Sequence, residues 1–169
     1  MKKPRVVVVM GVAGSGKSTI GALLALGNGG NFHDADDFHP PSNVAKMAAG
    51  VPLDDSDRAP WLGRLRKEVI DTTPDGGFTV LACSALKKIY RGQLGVGTAG
   101  VALVYLKGNA ALLESRLAKR SNHYMKAGML AGQLTALEEP LPGEGFTTEI
   151  EAPAEEIVIS IEAALGLVK

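Results

Sequence analysis

Cysteine is almost missing: Cys83 is the one thiol in 169 residues, so no internal disulfide can staple the chain, and a reducing setting such as the cytoplasm is expected. Long apolar runs are missing too. No stretch approaches the ~20 residues of a membrane-spanning helix, so no membrane partner is expected. Lys2, Lys3 and Arg5 before an apolar run imitate the start of a secretory signal, but that run ends at Gly11 and Lys17 soon follows, so no leader is read there. Charge of one sign is equally lacking. The 18 Lys and Arg balance 18 Asp and Glu, which leaves no overall field to attract nucleic acid and requires any anion site to be local. No repeat, low-complexity tract or linker divides the sequence, and a chain of this length fits one domain over 1–169 that buries roughly 70% of its unfolded surface.

What is present begins with Gly11-Val12-Ala13-Gly14-Ser15-Gly16-Lys17-Ser18-Thr19, which follows the apolar run Arg5–Met10 and satisfies G-x-x-x-x-G-K-[ST]. Strand, glycine-rich turn and helix start are implied. Glycines let the backbone curve around a phosphate chain with its N–H groups inward, Lys17 reaches the β- and γ-phosphates, and the Ser18 hydroxyl ligates Mg²⁺. The motif is a P-loop and predicts a nucleoside triphosphate as ligand.

Downstream, the spacing predicts a helix over about 17–26 and a short extended stretch at 31–33. A polar segment, Asp34 to Pro41, follows at a strand's carboxyl end, where a parallel α/β sheet places ligands. A short helix is expected over 42–49. A longer one is marked by Trp61, Leu62, Leu65 and Val69, with Pro60 in its first turn. Phe78–Cys83 and Val101–Leu106 read as buried strands, and 86–94 as a basic helix carrying Lys87, Lys88 and Arg91. Helices over 110–119, 129–138 and 154–165, a polar lid segment at about 120–135 and a last strand at 147–150 complete the pattern. Alternating strands and helices specify an α/β fold with a parallel sheet covered on both faces.

Phosphoryl transfer needs positioning and charge neutralisation more than covalent chemistry. Asp34 and Asp36 are spaced i, i+2, so in an extended segment both side chains face one side. One can hold Mg²⁺ while the other accepts a proton from a substrate hydroxyl; a solvated acidic turn is the alternative. Lys87 and Arg91, four apart, would share a helix face and offer two cations to one anion, or form a plain basic surface. Trp61, Met47 and Cys83 read as core, and His33 is given no role.

The P-loop together with Asp34–Pro41, Lys46-Met47-Ala48-Ala49-Gly50, Asp57-Arg58-Ala59-Pro60-Trp61-Leu62, Ala82-Cys83-Ser84-Ala85-Leu86-Lys87-Lys88 and Leu106-Lys107-Gly108 resembles, block after block, the gluconokinase family. The resemblance covers almost the whole chain. It implies a P-loop fold of the nucleoside monophosphate and shikimate kinase type, with a parallel five-stranded sheet and a lid. It also implies transfer of the γ-phosphate of ATP to the 6-hydroxyl of D-gluconate, with Mg²⁺ as cofactor. By position it makes Lys17 and Ser18 the phosphate and metal ligands, Asp34 the carboxylate near the metal and Asp36 the base facing the sugar hydroxyl. Arg58 falls on the substrate-side arginine, whose planar fork suits a carboxylate, unless it is a surface arginine paired with Asp54 or Asp55. His39, Lys87, Tyr90, Arg91 and His123 fall where the family builds the polyol pocket. Arg116 and Arg120 match lid-helix arginines that stack on adenine and reach the transferring phosphate, and Pro153 matches the loop on adenine's other face.

Three departures stand out: Ala35 replaces a glycine between the aspartates, Ser121-Asn122 replaces a Lys-Gly pair in the lid, and Glu149-Ile150-Glu151-Ala152-Pro153 replaces an Asp-Ile-Asp-Gln-Pro-like stretch. The second bears on lid motion and ATP affinity. A shikimate-kinase-like or nucleotide-kinase-like enzyme shares the P-loop, the aspartates and the lid arginines, and a non-catalytic ATP-dependent module is the reading from another class. The latter predicts loss of the base or the lid cations, and both are retained. Oligomeric state is left open, a homodimer included.

Overall fold

The computed structural model describes residues 2–120 and 127–167. Five strands, β1 (Val6–Met10), β2 (Asn31–Asp34), β3 (Thr79–Ala82), β4 (Val101–Lys107) and β5 (Phe146–Glu149), form one sheet in the order β2-β3-β1-β4-β5 with every neighbouring pair parallel. Among the described residues seven α-helices connect and cover it: α1 (Lys17–Gly27), α2 (Pro41–Ala48), α3 (Asp55–Leu65), α4 (Lys88–Gln93), α5 (Ala110–Ala118), α6 (Ala127–Ala136) and α7 (Ala154–Leu165). The expected doubly covered parallel sheet is present.

The valine run of β1 sits in the middle, and all five of its residues are fully buried. Alternate side chains serve different cores, as the two-residue period of a strand requires. Val7 and Val9 pack with Leu24, Leu113, Ile157 and Ile161 on one face; Val6, Val8 and Met10 pack with Trp61, Leu65, Tyr90 and Leu94 on the other. Each such side chain contributes about 1.5–3 kcal/mol by leaving water. The strand order reverses at β1, with β3 and β2 on one side and β4 and β5 on the other, so the crevice at the carboxyl end of β1 is where such a sheet binds ligands.

Several local expectations are corrected. α3 begins at Asp55, because Asp54 caps the Asp57 N–H while the Asp57 side chain returns to the Asp54 N–H, a complete capping box. Pro60 therefore lies inside the helix rather than in its first turn, and burial of Trp61, Leu62 and Leu65 offsets the hydrogen bond it removes. Met47 is not core; it is 42% exposed on α2. The basic helix begins at Lys88 with Lys87 as its N-cap, and α6 starts at Ala127, earlier than its periodicity suggests. Of the segment read as a lid, residues 121–126, His123 included, lie outside the described residues.

Candidate active site

The glycines of the P-loop work through the backbone. Gly14 (φ 83°) and Gly16 (φ 93°) adopt left-handed conformations that other residues rarely reach, and Gly16 is the N-cap from which α1 departs. Gly11, Val12, Ala13, Gly14 and Ser15 are buried under the loop, whereas Ser18 and Thr19 are exposed in the first turn of α1. Ser15 Oγ is buried with no hydrogen-bond partner among the described residues. Lys17 Nζ bends back to donate to the Val12 carbonyl at 3.1 Å. Loss of hydration lowers the Lys17 pKa, and the nearby Asp36 and Asp34 charges oppose that shift.

The aspartates are not the extended pair that their spacing suggests. Asp34 ends β2, and Ala35–Phe38 turn into a 3₁₀ helix for which Asp34 is the cap: Oδ1 accepts the Asp36 N–H at 3.0 Å and Oδ2 accepts the Ser18 hydroxyl at 2.9 Å. The first carboxylate is thereby turned toward the P-loop and the second is left for other work. Water still reaches Asp36, yet desolvation by its surroundings, followed by the Asp34 charge, raises its pKa. Ala35 is 1% exposed, and its methyl packs into the core beside Trp61.

Trp61 organises the neighbouring wall. Its Nε1 donates to the Ala35 carbonyl at 2.7 Å, and its ring stacks on His39 at 4.2 Å between centroids and 15° between planes. His39 Nδ1 lies 3.2 Å from the Asn43 side-chain amide nitrogen, which can only donate; the ring proton is thus on Nε2. Desolvation and the Arg58 charge lower the His39 pKa, favouring this neutral ring. Lys46 reaches both Asp57 carboxylate oxygens at 2.8 and 2.9 Å and ties α2 to α3.

The three cations assigned to the substrate side have different fates. Arg91 is 1% exposed, pairs with Glu144 at 2.6 Å and donates to the carbonyls of Ala85 and Leu86. It shares no open face with Lys87, which corrects the expected two-cation arrangement. Lys87 pairs at 3.1 Å with Asp55, whose carboxylate also accepts the Tyr90 hydroxyl. Arg58 makes no ion pair among the described residues; it donates to the Leu53 carbonyl at 2.8 Å and to Tyr90 Oη at 3.4 Å, its guanidinium 5.6 Å from the Tyr90 ring centroid. The alternative pairing with Asp54 or Asp55 does not occur.

On the other side of the P-loop an open pocket of about 370 Å³ is lined by Gly14, Thr19, Arg116, Arg120, Ala152 and Ile157, among others. Arg116 donates to the Ile150 carbonyl at 2.7 Å, bridging α5 to the loop after β5, and Pro153 caps α7 beside the lining residues. Cys83 is buried, its thiol pushed up to about 12 by that burial, and is the inert core residue expected.

No family model matches the chain. A probable gluconokinase of Rattus norvegicus is 40% identical, over 98% of this chain and 100% of its own length. The gluconokinase of Gluconobacter oxydans is 44% identical, over 82% of this chain and 78% of its own. This chain belongs to the gluconokinase family. A crystal structure of a Sinorhizobium meliloti gluconokinase agrees in shape as well, with a TM-score of 0.86 and 37% identity over 98% of this chain and 94% of that one. A shikimate kinase from Bacteroides thetaiotaomicron, at 15% identity and a TM-score of 0.67, shares the fold alone. In this gluconokinase-family chain the P-loop, both aspartates and His39, Arg58, Lys87 and Tyr90 are the residues that the sequence singles out, whereas Asp55, Asn43 and Gln133 are found beside them only in the structure. Asp55 stands in an acidic stretch, Asp54 to Asp57, in which nothing local singles it out, and a Gln133 contact made across the whole fold leaves no local signal.

Proposed function

We infer that this member of the gluconokinase family transfers the γ-phosphoryl group of ATP to the 6-hydroxyl of D-gluconate. The observation that carries the choice of acceptor is Arg58: alone among the three candidate cations it faces the site without an acidic partner among the described residues. A planar guanidinium of this kind suits a substrate carboxylate. Lys87, Tyr90 and the Nε2–H of His39 supply donors for the polyol hydroxyls, and Asp55 an acceptor.

The P-loop holds the phosphates and Lys17 compensates their charge. Arg116 and Arg120 flank the pocket assigned to the nucleoside, with Pro153 at its rim. Asp36 takes the proton of the 6-hydroxyl as that oxygen bonds to the γ-phosphorus and the bond to the ADP oxygen breaks. Ser18 and Asp34, already joined oxygen to oxygen at 2.9 Å, are the residues that would hold Mg²⁺. No cluster of three or more His, Cys, Asp or Glu able to bind a metal exists among the described residues, and a cation that takes its remaining oxygens from phosphates and water is the kind such a pair suits. When bound, the ion neutralises charge on the β- and γ-phosphates. No helix of the described residues is long and apolar enough to cross a membrane, and the single buried cysteine accords with work in the cytoplasm.

A coupled assay of ADP release with Mg-ATP and, in turn, gluconate, shikimate and nucleoside monophosphates tests this reading. Turnover with gluconate is expected; turnover confined to one of the others overturns it.

A further inference from the structure

One P-loop amide has an unexpected partner. The Ala13 N–H donates at 2.7 Å to Oε1 of Gln133, 120 residues away in sequence. Gln133 is half-buried on α6, and the helix is well fixed. Its Leu130 is 1% exposed and packs, with Leu134, into the cluster that includes Val12, Ala13 and Leu113. Just beyond its end the Glu138 N–H donates to the Leu86 carbonyl at 2.8 Å, and a Glu138 carboxylate oxygen accepts the Lys88 N–H at 2.8 Å. A side chain held on such a support is preorganised rather than adventitious. The chemistry of the contact is specific: a neutral carbonyl oxygen occupies an N–H of a loop whose N–H groups serve phosphate oxygens.

We propose that Gln133 is a positioning residue for the nucleotide: its amide oxygen satisfies the Ala13 N–H and so holds the loop in the curvature that the triphosphate takes, leaving the loop's other N–H groups to the phosphates. This rests on the reading of the loop as the triphosphate site. Without the contact the Ala13 N–H loses its acceptor and the loop must be ordered at the expense of binding. A neutral amide also fits the position where a carboxylate would not, because a negative charge against this loop opposes the incoming phosphates.

Two variants separate these roles from simple packing. Binding of a non-hydrolysable ATP analogue by calorimetry, thermal unfolding without nucleotide, and KM for both substrates are measured on wild type, Gln133→Leu and Gln133→Glu. Gln133→Leu is expected to weaken analogue binding about tenfold, the scale of one lost hydrogen bond, and to raise KM for ATP while KM for gluconate stays within twofold. Gln133→Glu keeps an acceptor oxygen, so its unfolding temperature should match wild type while its affinity for the analogue falls further than that of the leucine variant. Wild-type analogue affinity in either variant overturns the proposal. A wild-type protein that binds no analogue overturns the underlying reading of the loop instead.

Discussion

The Ser18 hydroxyl donates to Asp34 Oδ2 at 2.9 Å, which joins the first turn of α1 to the end of β2 through two oxygens suited to a hard cation. Asp34→Asn retains the size and the cap of the following turn but removes the one negative charge of that pair. Activity titrated with Mg²⁺ at fixed ATP should need about tenfold more metal for half-maximal rate, with KM for gluconate unchanged. An unchanged metal requirement would remove Asp34 from the metal site.

Asp36 and Lys17 are tested by rate and by pH. Asp36→Asn should lower kcat by roughly 10²–10⁴-fold, the usual worth of a general base, and Lys17→Ala should abolish turnover while leaving the folded state intact by circular dichroism. Because the Asp36 pKa is raised, the acid limb of the wild-type kcat profile should lie above the ordinary aspartate value of about 3.9 and vanish in the asparagine variant. The sign for stability is opposite to that of an ion-paired carboxylate. The fold favours the protonated form, so the Asp36 contribution is complete below the ordinary value and is lost as pH rises through the raised one. At neutral pH Asp36→Asn should therefore unfold no earlier than wild type, as thermal melts at pH 4 and pH 7 would check.

Arg58 and Arg91 should fail in different ways. Arg58→Lys keeps the charge but loses the planar fork, so KM for gluconate rises, KM for ATP holds, and the preference over the matching uncharged polyol narrows. Lys87→Ala is the comparison for polyol binding. Arg91→Ala instead leaves Glu144 and the carbonyls of Ala85 and Leu86 without their donor. Breaking a buried pair in this way costs about 3–5 kcal/mol, or roughly 10 °C in Tm for a protein of this size. Calorimetry distinguishes the two: a stable Arg91→Ala protein with a raised gluconate KM would return Arg91 to the substrate site.

Trp61→Phe keeps an aromatic face for His39 but removes the donor to the Ala35 carbonyl. A buried unsatisfied carbonyl costs about 1–3 kcal/mol, and the turn that carries Asp36 loses its anchor. We expect kcat to fall several-fold beyond the stability loss. A kcat equal to wild type at a temperature where the variant is fully folded would show that the turn is rigid without it.

The fold was legible because its signals are strong and local. β1 is an unbroken apolar run, β3 and β4 are apolar but for Thr79 and Lys107 at their ends, and α7 falls at 154–165 as its apolar spacing predicts. Legibility failed where two local solutions compete. Asp54, Asp55 and Asp57 can each cap a helix, and only the reciprocal bonds of Asp54 and Asp57 settle the start of α3 and strand Pro60 inside it. The i, i+4 spacing of Lys87 and Arg91 suggested a shared face, but Lys87 is the N-cap of α4 and Arg91 turns inward to Glu144. Asp34 and Asp36 lost their common face to a 3₁₀ turn that no periodicity announces.

The strand order also governs when the protein can acquire its phosphate loop. Val6 pairs with Thr79 and with Val101, so the central strand has no partner until β3 has left the ribosome and is flanked on both sides only after β4 has followed. At about 5–20 residues per second the sequence Val-Val-Val-Val-Met, a run of high β-propensity with no charge or proline, stays without its sheet for several seconds of synthesis. During that interval Lys2, Lys3 and Arg5 on one side and Lys17 on the other act as gatekeepers, charges that discourage one nascent chain from pairing with another. The lysine that we assign to phosphate in the finished molecule thus has an earlier task, and basic residues on both sides of the run protect solubility at birth.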